Sequence, residues 1–275
     1  MKIGLIGCGR VGLTMAYFLR KQNLLLGVYD KNREALARAI KLLRISQNPD
    51  YVKLIKNSDA LLFATPDDEI LNAYFQACRY IEGKKYLFHC SGLLPAEIFP
   101  GGKNIYRASI HPFATFPKII IPPKKSRYTI FLQGDREAIR IVPAIFSKQS
   151  FSIRRIDKMT KPFYHLLGVY SSNFIVALIE AIDIIGRKTK LDKKTFEKAV
   201  VQILNETLNN IKTYGTKESL SGPIVRGDIT TIRKHLQILR QFPDLHDAYC
   251  ALSRIILKYA PSQSRKILEK ILKKN

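Results

Sequence analysis

The sequence predicts an α/β fold in which a doubly wound, mainly parallel sheet is followed by an all-helical C-terminal domain. Three observations predict it. Short apolar runs alternate with helical stretches in the first half of the chain. A glycine motif, G-x-G-x-x-G, separates the first apolar run from the first helical stretch. From Lys158 onward only helical spacing recurs, so we place the domain boundary between residues 1–157 and 158–275.

The first half contains strands that alternate with helices. "KIGLIG", "LLLGVYD" and "DALLFATP" are predicted to be strands, followed by helices over 11–21, 33–44 and 68–80. "KYLFHCSG", "IYRASIHP", "RYTIFLQGD" and "FSIRRI" are further strands, with a helix after Asp135. This alternation is typical of a parallel sheet covered on both faces. "FPKIIIPPKK" is predicted to be a loop, because its paired prolines have no amide hydrogens for a sheet.

The second half is predicted to be helical throughout. Its apolar residues recur at helical spacing over 161–187, 193–214, 228–240, 244–258 and 263–273. The most apolar stretch, "LLGVYSSNFIVALIEAIDIIG", carries Glu180 and Asp183, so we expect no membrane insertion. The apolar N-terminus is interrupted by four glycines and Arg10 in its first twelve positions, so we expect no signal peptide.

Composition indicates a globular protein of two domains. The chain has 275 residues, of which 46% are hydrophobic and 25% charged. Four cysteines without CxxC spacing or a histidine cluster beside them indicate neither a zinc site nor a disulfide framework, and a reducing cytoplasm fits best. The formal charge of +24 is scattered over helical stretches. It therefore favours anionic small molecules over nucleic acid as partners.

The glycine motif predicts a dinucleotide site. Gly7 would permit a tight turn, Gly9 would let the backbone approach a pyrophosphate, and Gly12 would let helix and strand pack closely. The helix start offers free amides and a partial positive charge to that anion. The loop residues between the glycines, which would share this contact, are Cys8, Arg10 and Val11. A tight turn without a ligand is the alternative.

Acidic and basic residues at the end of the second strand bear on the choice of cofactor. Asp30 can accept hydrogen bonds from the adenosine ribose and would repel the extra phosphate of NADP, which favours NAD slightly. Lys31 and Arg33 follow and could bind that phosphate instead, so both cofactors stay open. Thr65 and Pro66, after the third strand, are expected to contact the cofactor through their backbone.

Further strand ends carry residues suited to a substrate, because ligands of open α/β sheets bind there. Ser91 and Gly92 of "HCSGLLP" offer a hydroxyl and free amides to a carboxylate, although an ordinary turn would look the same. His111 of "SIHPF" either donates to a carbonyl or packs. Asp67 of "ATPDDEI" is better explained as a helix N-cap.

The stretch "KMTKPFYHLLGVYSSN" places Lys161 and His165 on one helical face. The Lys161 ammonium could stabilise the charge that develops on a carbonyl oxygen during reduction and deliver the proton. A solvated lysine at a helix start is the alternative. Arg226 of "LSGPIVRGD" has a fork that matches a carboxylate or phosphate, whereas Asp228 is explained as an N-cap.

Together the glycine motif, "SG", "HPFATF", "QGD", "YH…SSNFIVAL" and "SGPIVRGD…T…HL" resemble a bacterial family of Rossmann-like proteins with an uncharacterised helical C-terminal domain. That family is similar to the superfamily of 6-phosphogluconate and β-hydroxyacid dehydrogenases, ketopantoate reductases and pyrroline-5-carboxylate reductase. Some of its members are ketopantoate reductases. The resemblance implies a Rossmann-type NAD(P)-binding domain and a 6-phosphogluconate dehydrogenase-like C-terminal domain that binds substrate and forms a homodimer.

The resemblance also implies an active site between the domains. Lys161 matches the catalytic lysine of β-hydroxyacid dehydrogenases, but His165 stands where they have an asparagine. That departure leaves open the role of His165 and whether Asn173 substitutes for the asparagine.

We therefore expect a cytoplasmic reductase that transfers hydride from NAD(P)H to the carbonyl of a small keto acid, with ketopantoate (2-dehydropantoate) as the best single candidate. Lys161 would donate the proton, and His165 would orient it or the substrate. The residues expected to bind the substrate are Ser91, Gly92, His111, Asn173 and Arg226. A cyclic-imine reductase and a sensor or scaffold that binds NAD(P) without turnover are the two alternatives.

Overall fold

The computed structural model describes residues 1–119, 127–146 and 149–273. Within them the chain forms two compact units, Met1–Ile175 and Val176–Asn275. The predicted loop "FPKIIIPPKK" lies largely outside the described residues.

The first unit is built on one seven-stranded sheet, and its strands are β1 (Ile3–Ile6), β2 (Leu25–Tyr29), β3 (Ala60–Phe63), β4 (Lys85–His89), β5 (Ile105–Phe113), β6 (Tyr128–Gly134) and β7 (Phe151–Arg155). Their order is β2-β1-β3-β4-β5-β6-β7. All neighbours are parallel except β5 and β6. The predicted doubly wound, mainly parallel sheet is therefore confirmed.

The helices of the first unit follow the strands as the Rossmann pattern requires, and they are α1 (Arg10–Lys21), α2 (Arg33–Leu43), α3 (Tyr51–Asn57), α4 (Asp67–Cys78), α5 (Arg136–Ile145) and α6 (Lys161–Gly168). A short π-helical segment, Val169–Asn173, continues α6 into α7 (Phe174–Gly186). Sequence periodicity did not predict α3. Asp50 caps this helix by accepting a hydrogen bond from the Lys53 amide at 2.8 Å.

Burial of both sheet faces explains why β1 and β3 consist of continuous apolar runs. Every residue of β1 and β3 is buried, as expected for parallel strands covered on both sides. Lys85 of β4 is a charged residue buried in the same sheet, and it is only 2% exposed. Its ammonium donates to the carbonyls of Ile55, at 2.9 Å, and Ser58, at the C-terminal end of α3.

The second unit is helical, and its helices after α7 are α8 (Lys193–Glu218), α9 (Pro223–Arg226), α10 (Ile229–Leu239), α11 (Pro243–Ile256) and α12 (Ser262–Ile271). These bounds follow the predicted helical stretches closely. Helical geometry in α8 is interrupted at Gly215, which has a φ of 82°. Ile224, Ile232 and Leu268 belong to the small apolar core of this unit.

An apolar surface runs along the helical stretch Lys161–Gly186. Phe163, Leu167 and Val176 are 75%, 57% and 68% exposed. By length and composition, this stretch is the one candidate for a membrane span within the described residues. A single candidate is weak evidence, since apolar helix faces between protein subunits have the same composition.

Candidate functional site

The ends of β1, β2 and β3 border a cavity of about 240 Å³. The sheet order reverses here, because β2 and β3 lie on opposite sides of β1, and α/β proteins bind ligands at such a switch point. Gly7, Gly9 and Thr65 line the cavity beside the strand ends, and Tyr51 and Gln76 line it from α3 and α4. The glycine motif and the third strand end therefore lie at one cavity, as the sequence predicts.

The three glycines of the loop meet different constraints. Gly7 has a φ of +101°, which side chains rarely tolerate. A Cβ atom at Gly12 would lie 2.1 Å from the Gly7 carbonyl oxygen, whereas one at Gly9 would meet nothing within 4 Å. The fold thus requires glycine at positions 7 and 12. It does not require glycine at position 9, where the open space fits a ligand that approaches the backbone.

Asp30 lines the cavity at the end of β2. Its carboxylate accepts hydrogen bonds from the backbone amides of Cys8, at 2.7 Å, and Asn32, at 2.8 Å. Asp30 therefore holds the glycine loop through its hydrogen bond with the Cys8 amide. A carboxylate can accept about four hydrogen bonds, so capacity remains for ribose hydroxyls.

Basic residues near Asp30 differ in their contacts. The Lys31 ammonium lies 2.8 Å from a carboxylate oxygen of Glu69 on α4, and both residues line the cavity. This pairing raises the pKa of Lys31. Arg33 is exposed at the start of α2 and, among the described residues, is not one that lines the cavity.

The cavity satisfies one test of fit for a dinucleotide. Thr65 Oγ1 is buried and has no hydrogen-bond partner among the described residues, and Thr65 lines the cavity. An orphaned hydroxyl of this kind is rare in a folded protein and is normally satisfied by water or a ligand. Tyr51 adds an apolar wall, with its ring centroid 4.2 Å from that of Tyr29. An anion-binding loop, a carboxylate, a free hydroxyl and an aromatic wall together suit an adenine nucleotide.

A second group of polar side chains lies at the end of β4 and beside it on β5, where Ser109 pairs with His89, the last residue of β4. The predicted strand end at His111 is wrong, because β5 continues to Phe113. Lys161 is 1% exposed, and its ammonium donates to Ser109 Oγ at 2.7 Å and to the Ser91 carbonyl at 3.2 Å. Burial lowers the pKa of Lys161 to about 8, against the opposing charges of Asp67 and Glu97. Lys161 is therefore not the solvated lysine that the alternative interpretation describes.

The loop after β4 is held by its own hydrogen bonds. Ser91 Oγ donates to Asp67 Oδ2 at 2.7 Å and accepts from the Leu94 amide at 2.9 Å. Asp67 is the first residue of α4, which has Pro66 as its N-cap. The interpretation of Asp67 as an N-cap is thus wrong by one position, and its carboxylate is used to hold the Ser91 loop.

Two histidines flank Gly92 in this loop. A Cβ atom at Gly92 would lie 2.8 Å from His165 Nδ1 and 3.0 Å from His111 Nε2. Glycine is therefore required for both rings to approach the loop. Nδ1 of His111 is hydrogen-bonded to the hydroxyl of Tyr164. We call Ser91, Gly92, Ser109, His111, Lys161, Tyr164 and His165 the lysine–histidine cluster.

Burial and neighbouring positive charge keep the imidazoles of His111 and His89 neutral. Burial, followed by the charges of Lys161 and His165, lowers the pKa of His111 to about 4. His89, which is fully buried behind Ser91, has its pKa lowered to about 3 by burial and by Lys161. At neutral pH the Lys161 ammonium thus lies near two uncharged rings, those of His111 and His89.

Other predicted site residues lie apart from this cluster or in the second unit. Arg10 and Val11 open α1, where Arg10 is exposed and Val11 is half-buried. Asn173 ends the π-helical segment and is exposed. Arg226, in the second unit, is bound to Asp228 at 2.7 Å. Asp228 is the N-cap position of α10 but makes no side-chain cap bond.

Sequence reasoning missed several residues at these two places. Tyr51 and Glu69 line the cavity, while Ser109 and Tyr164 bond to Lys161 and His111. Their spacing carries no motif, because each belongs to an apolar or helical pattern that explains it without function. For Ser109 a signal exists, namely a hydroxyl at a buried position of a strand.

Comparison with known proteins places the chain among Rossmann-type folds. Residues 128–256 match the family model of a domain of unknown function, DUF2520. A search of curated proteins finds no match.

Solved structures with the same fold cover nearly the whole chain. A candidate NADP oxidoreductase of Bacteroides fragilis has a TM-score of 0.78 at 19% identity, covering 94% of this chain and 98% of its own. A semialdehyde dehydrogenase NAD-binding protein of Cupriavidus necator, in complex with calcium and NAD, has a TM-score of 0.61 at 16% identity, covering 98% and 99%. Plasmodium falciparum pyrroline carboxylate reductase with NADP bound has a TM-score of 0.56 at 15% identity, covering 99% and 98%. At these identities the similarity establishes the fold and not the reaction.

Proposed function

We propose that this protein is an NAD(P)H-dependent reductase of a small keto acid, with ketopantoate as the first substrate to test. The observation that carries the proposal is the buried Lys161 ammonium, held at a strand-end loop of a Rossmann-type unit. An isolated buried ammonium is costly, and its pKa of about 8 suits proton transfer near neutral pH. Its coexistence with the cavity at the glycine loop supports an oxidoreductase.

The glycine loop would hold the pyrophosphate of the cofactor, and Asp30 its adenosine ribose. A bound nicotinamide dinucleotide would supply the hydride. Asp30 and the pairing of Lys31 with Glu69 favour NAD slightly, since the pairing offsets a cation that could bind the extra phosphate of NADP. NADP stays the alternative, because structural neighbours are described with either cofactor.

Proton transfer would start from Lys161. Two of its three N–H groups are bound to Ser109 and Ser91, and the described residues provide no partner for the third. That N–H would face the carbonyl oxygen of the substrate and give up its proton as the oxygen gains negative charge. His165 and His111, on either side of Gly92, would orient the substrate above the loop.

Turnover assays test the proposal directly. Purified protein is mixed with NADH or NADPH and either ketopantoate or pyrroline-5-carboxylate, and cofactor oxidation is followed by absorbance. Oxidation with ketopantoate supports the proposal. Oxidation with the imine alone would replace keto-acid reduction with cyclic-imine reduction as the proposed function. One structural neighbour is a pyrroline carboxylate reductase. Calorimetric binding of a dinucleotide without turnover of either compound would favour the sensor or scaffold.

We also propose that the protein works as a cytoplasmic homodimer joined through its apolar helices. Val176 on α7 and Leu208 on α8 are 68% and 65% exposed, and stable dimers cover such side chains. Glu180 and Asp183 on α7 disfavour lipid as the partner. Sedimentation should show a dimer that Val176→Glu and Leu208→Glu together dissociate, with Leu42→Glu as the control. A monomer, or recovery only with membranes, would contradict this.

A further inference from the structure

The hydroxyl of Tyr164 has a single hydrogen bond among the described residues, and it is to Nδ1 of His111. The Tyr164 ring is 7% exposed and packs between Phe113 and Phe131, with centroid distances of 5.2 and 4.5 Å. The aromatic packing fixes the direction of the phenol. Its hydroxyl is therefore aimed at one ring nitrogen and not the other.

The direction of this hydrogen bond follows from what the two buried groups can satisfy. If His111 Nδ1 carried a proton and donated it, the phenol O–H would need a second acceptor, and the described residues provide none. If the phenol donates, Nδ1 is the acceptor, and the hydroxyl hydrogen and Nδ1 are both satisfied. Burial raises the pKa of Tyr164, so its proton is available to donate. The phenol is thus the donor.

We propose that Tyr164 is a positioning residue that holds His111 as the tautomer protonated at Nε2, so that this N–H points to the space beside Gly92. A Cβ atom at Gly92 would lie 3.0 Å from Nε2, which places the N–H at the loop surface. Its role toward the carbonyl oxygen of a substrate rests on the proposed function. The tautomer itself does not.

The charges around His111 support a neutral ring. Lys161, Tyr164 and His165 face it from α6, and His89 lies behind it on β4. Lys161 and His165 disfavour a positive charge on the His111 ring. Neutral imidazole can polarise a carbonyl through its N–H, and here it would do so beside the Lys161 ammonium.

Nitrogen NMR of the free protein tests the tautomer without cofactor or turnover. Long-range ¹H–¹⁵N spectra distinguish protonation at Nε2 from protonation at Nδ1, and the signals of His111 are assigned by their loss in His111→Asn. Wild-type protein should show the Nε2–H form of a neutral ring at pH 7. A His111 ring protonated at Nδ1, or a His111 imidazolium, would overturn the proposal even if Tyr164→Phe could not be purified.

Tyr164→Phe removes the hydroxyl and keeps the ring packing. We expect a measurable fraction of the Nδ1–H tautomer and a rise in the pKa of His111 of about one unit, the size that loss of one hydrogen bond to the neutral form corresponds to. Tyr249→Phe is the matched control, because its hydroxyl lies 3.1 Å from His235 Nδ1 in the second unit. Unchanged His111 signals in Tyr164→Phe would contradict the proposal.

Kinetics separate this inference from the proposed function. If the protein reduces a keto acid, Tyr164→Phe should lower kcat about tenfold, within the range of a weakened hydrogen-bond donor, and leave NADH affinity unchanged. Equal kcat in the variant and wild type would reject the role toward substrate. If no substrate is reduced, the proposed function fails while the NMR result still decides the tautomer.

Discussion

The glycine-loop cavity and the lysine–histidine cluster lie in the same unit but are built in different ways. The loop offers backbone amides, and its three glycines are close in sequence. The cluster combines the loop after β4 with side chains from β5 and α6, and its central ammonium is 1% exposed. A site made of backbone depends mainly on local conformation. A site made of buried side chains depends on long-range packing, so single substitutions should affect it more strongly.

The largest effect is expected at Lys161. Lys161→Met keeps an apolar stem of similar length but removes the proton donor, so turnover should fall at least about a hundredfold while dinucleotide affinity persists. Lys158→Met, at an exposed lysine of the same segment, is the control. Steady-state kinetics with calorimetry measure both quantities. Unchanged turnover would remove Lys161 from the mechanism.

The pH profile sharpens this prediction. The pKa of Lys161 is lowered to about 8, so the ammonium is protonated below that pH and loses its proton above it. Reductase turnover in the wild type should therefore decline as pH rises through about 8, and residual activity of Lys161→Met should lack this decline. A wild-type profile flat from pH 7 to 9.5 would contradict Lys161 as the acid.

An intermediate effect is expected at the loop. Gly9→Ala adds a methyl group into open space, with an ordinary φ of −73°, so thermal stability should stay within a degree or two and dinucleotide affinity should fall about tenfold. Gly12→Ala places a methyl group against the Gly7 carbonyl and should lower the melting temperature markedly. Calorimetry and thermal denaturation measure the contrast. Full dinucleotide affinity in Gly9→Ala would show that no ligand approaches this loop.

The smallest effect is expected at the exposed Lys31–Glu69 pair. Glu69→Gln frees Lys31, so NADPH affinity should rise about threefold to fivefold, the scale of an exposed ion pair, while NADH affinity is unchanged. Glu82→Gln breaks a similar exposed pair with Lys56 and serves as the control. Equal changes for both cofactors would mean that Lys31 does not face the ribose phosphate.

The same contrast explains how much the sequence could predict. The strands, the mainly parallel character of the sheet and the glycine turn follow from local patterns, because apolar runs and glycine spacing specify them within a few residues. The strand-end rule indicated Ser91 and His111, and the structure brings them together with Lys161 and His165. Their roles stay predictions.

The residues that sequence reasoning missed depend on packing between distant segments. Tyr164 lies in the apolar stretch "PFYHLL", and only the fold shows that its hydroxyl meets a ring from β5. Tyr51 lies on a seven-residue helix that is too short for a clear periodicity. The local sequence predicts a cap at Asp67, and this prediction, which the structure shows to be wrong, hides the contact of Asp67 with Ser91. Local patterns therefore predict elements better than contacts between them.

The buried Lys85 connects one wall of the cavity to the centre of the sheet. Its ammonium holds the last carbonyls of α3, the helix that begins with Tyr51. Backbone amides of this short helix should therefore exchange with deuterium as slowly as those of β4, although an isolated helix of that length would fray within microseconds. An adenine base would then meet a wall that is already rigid, and its binding would need little ordering of the chain.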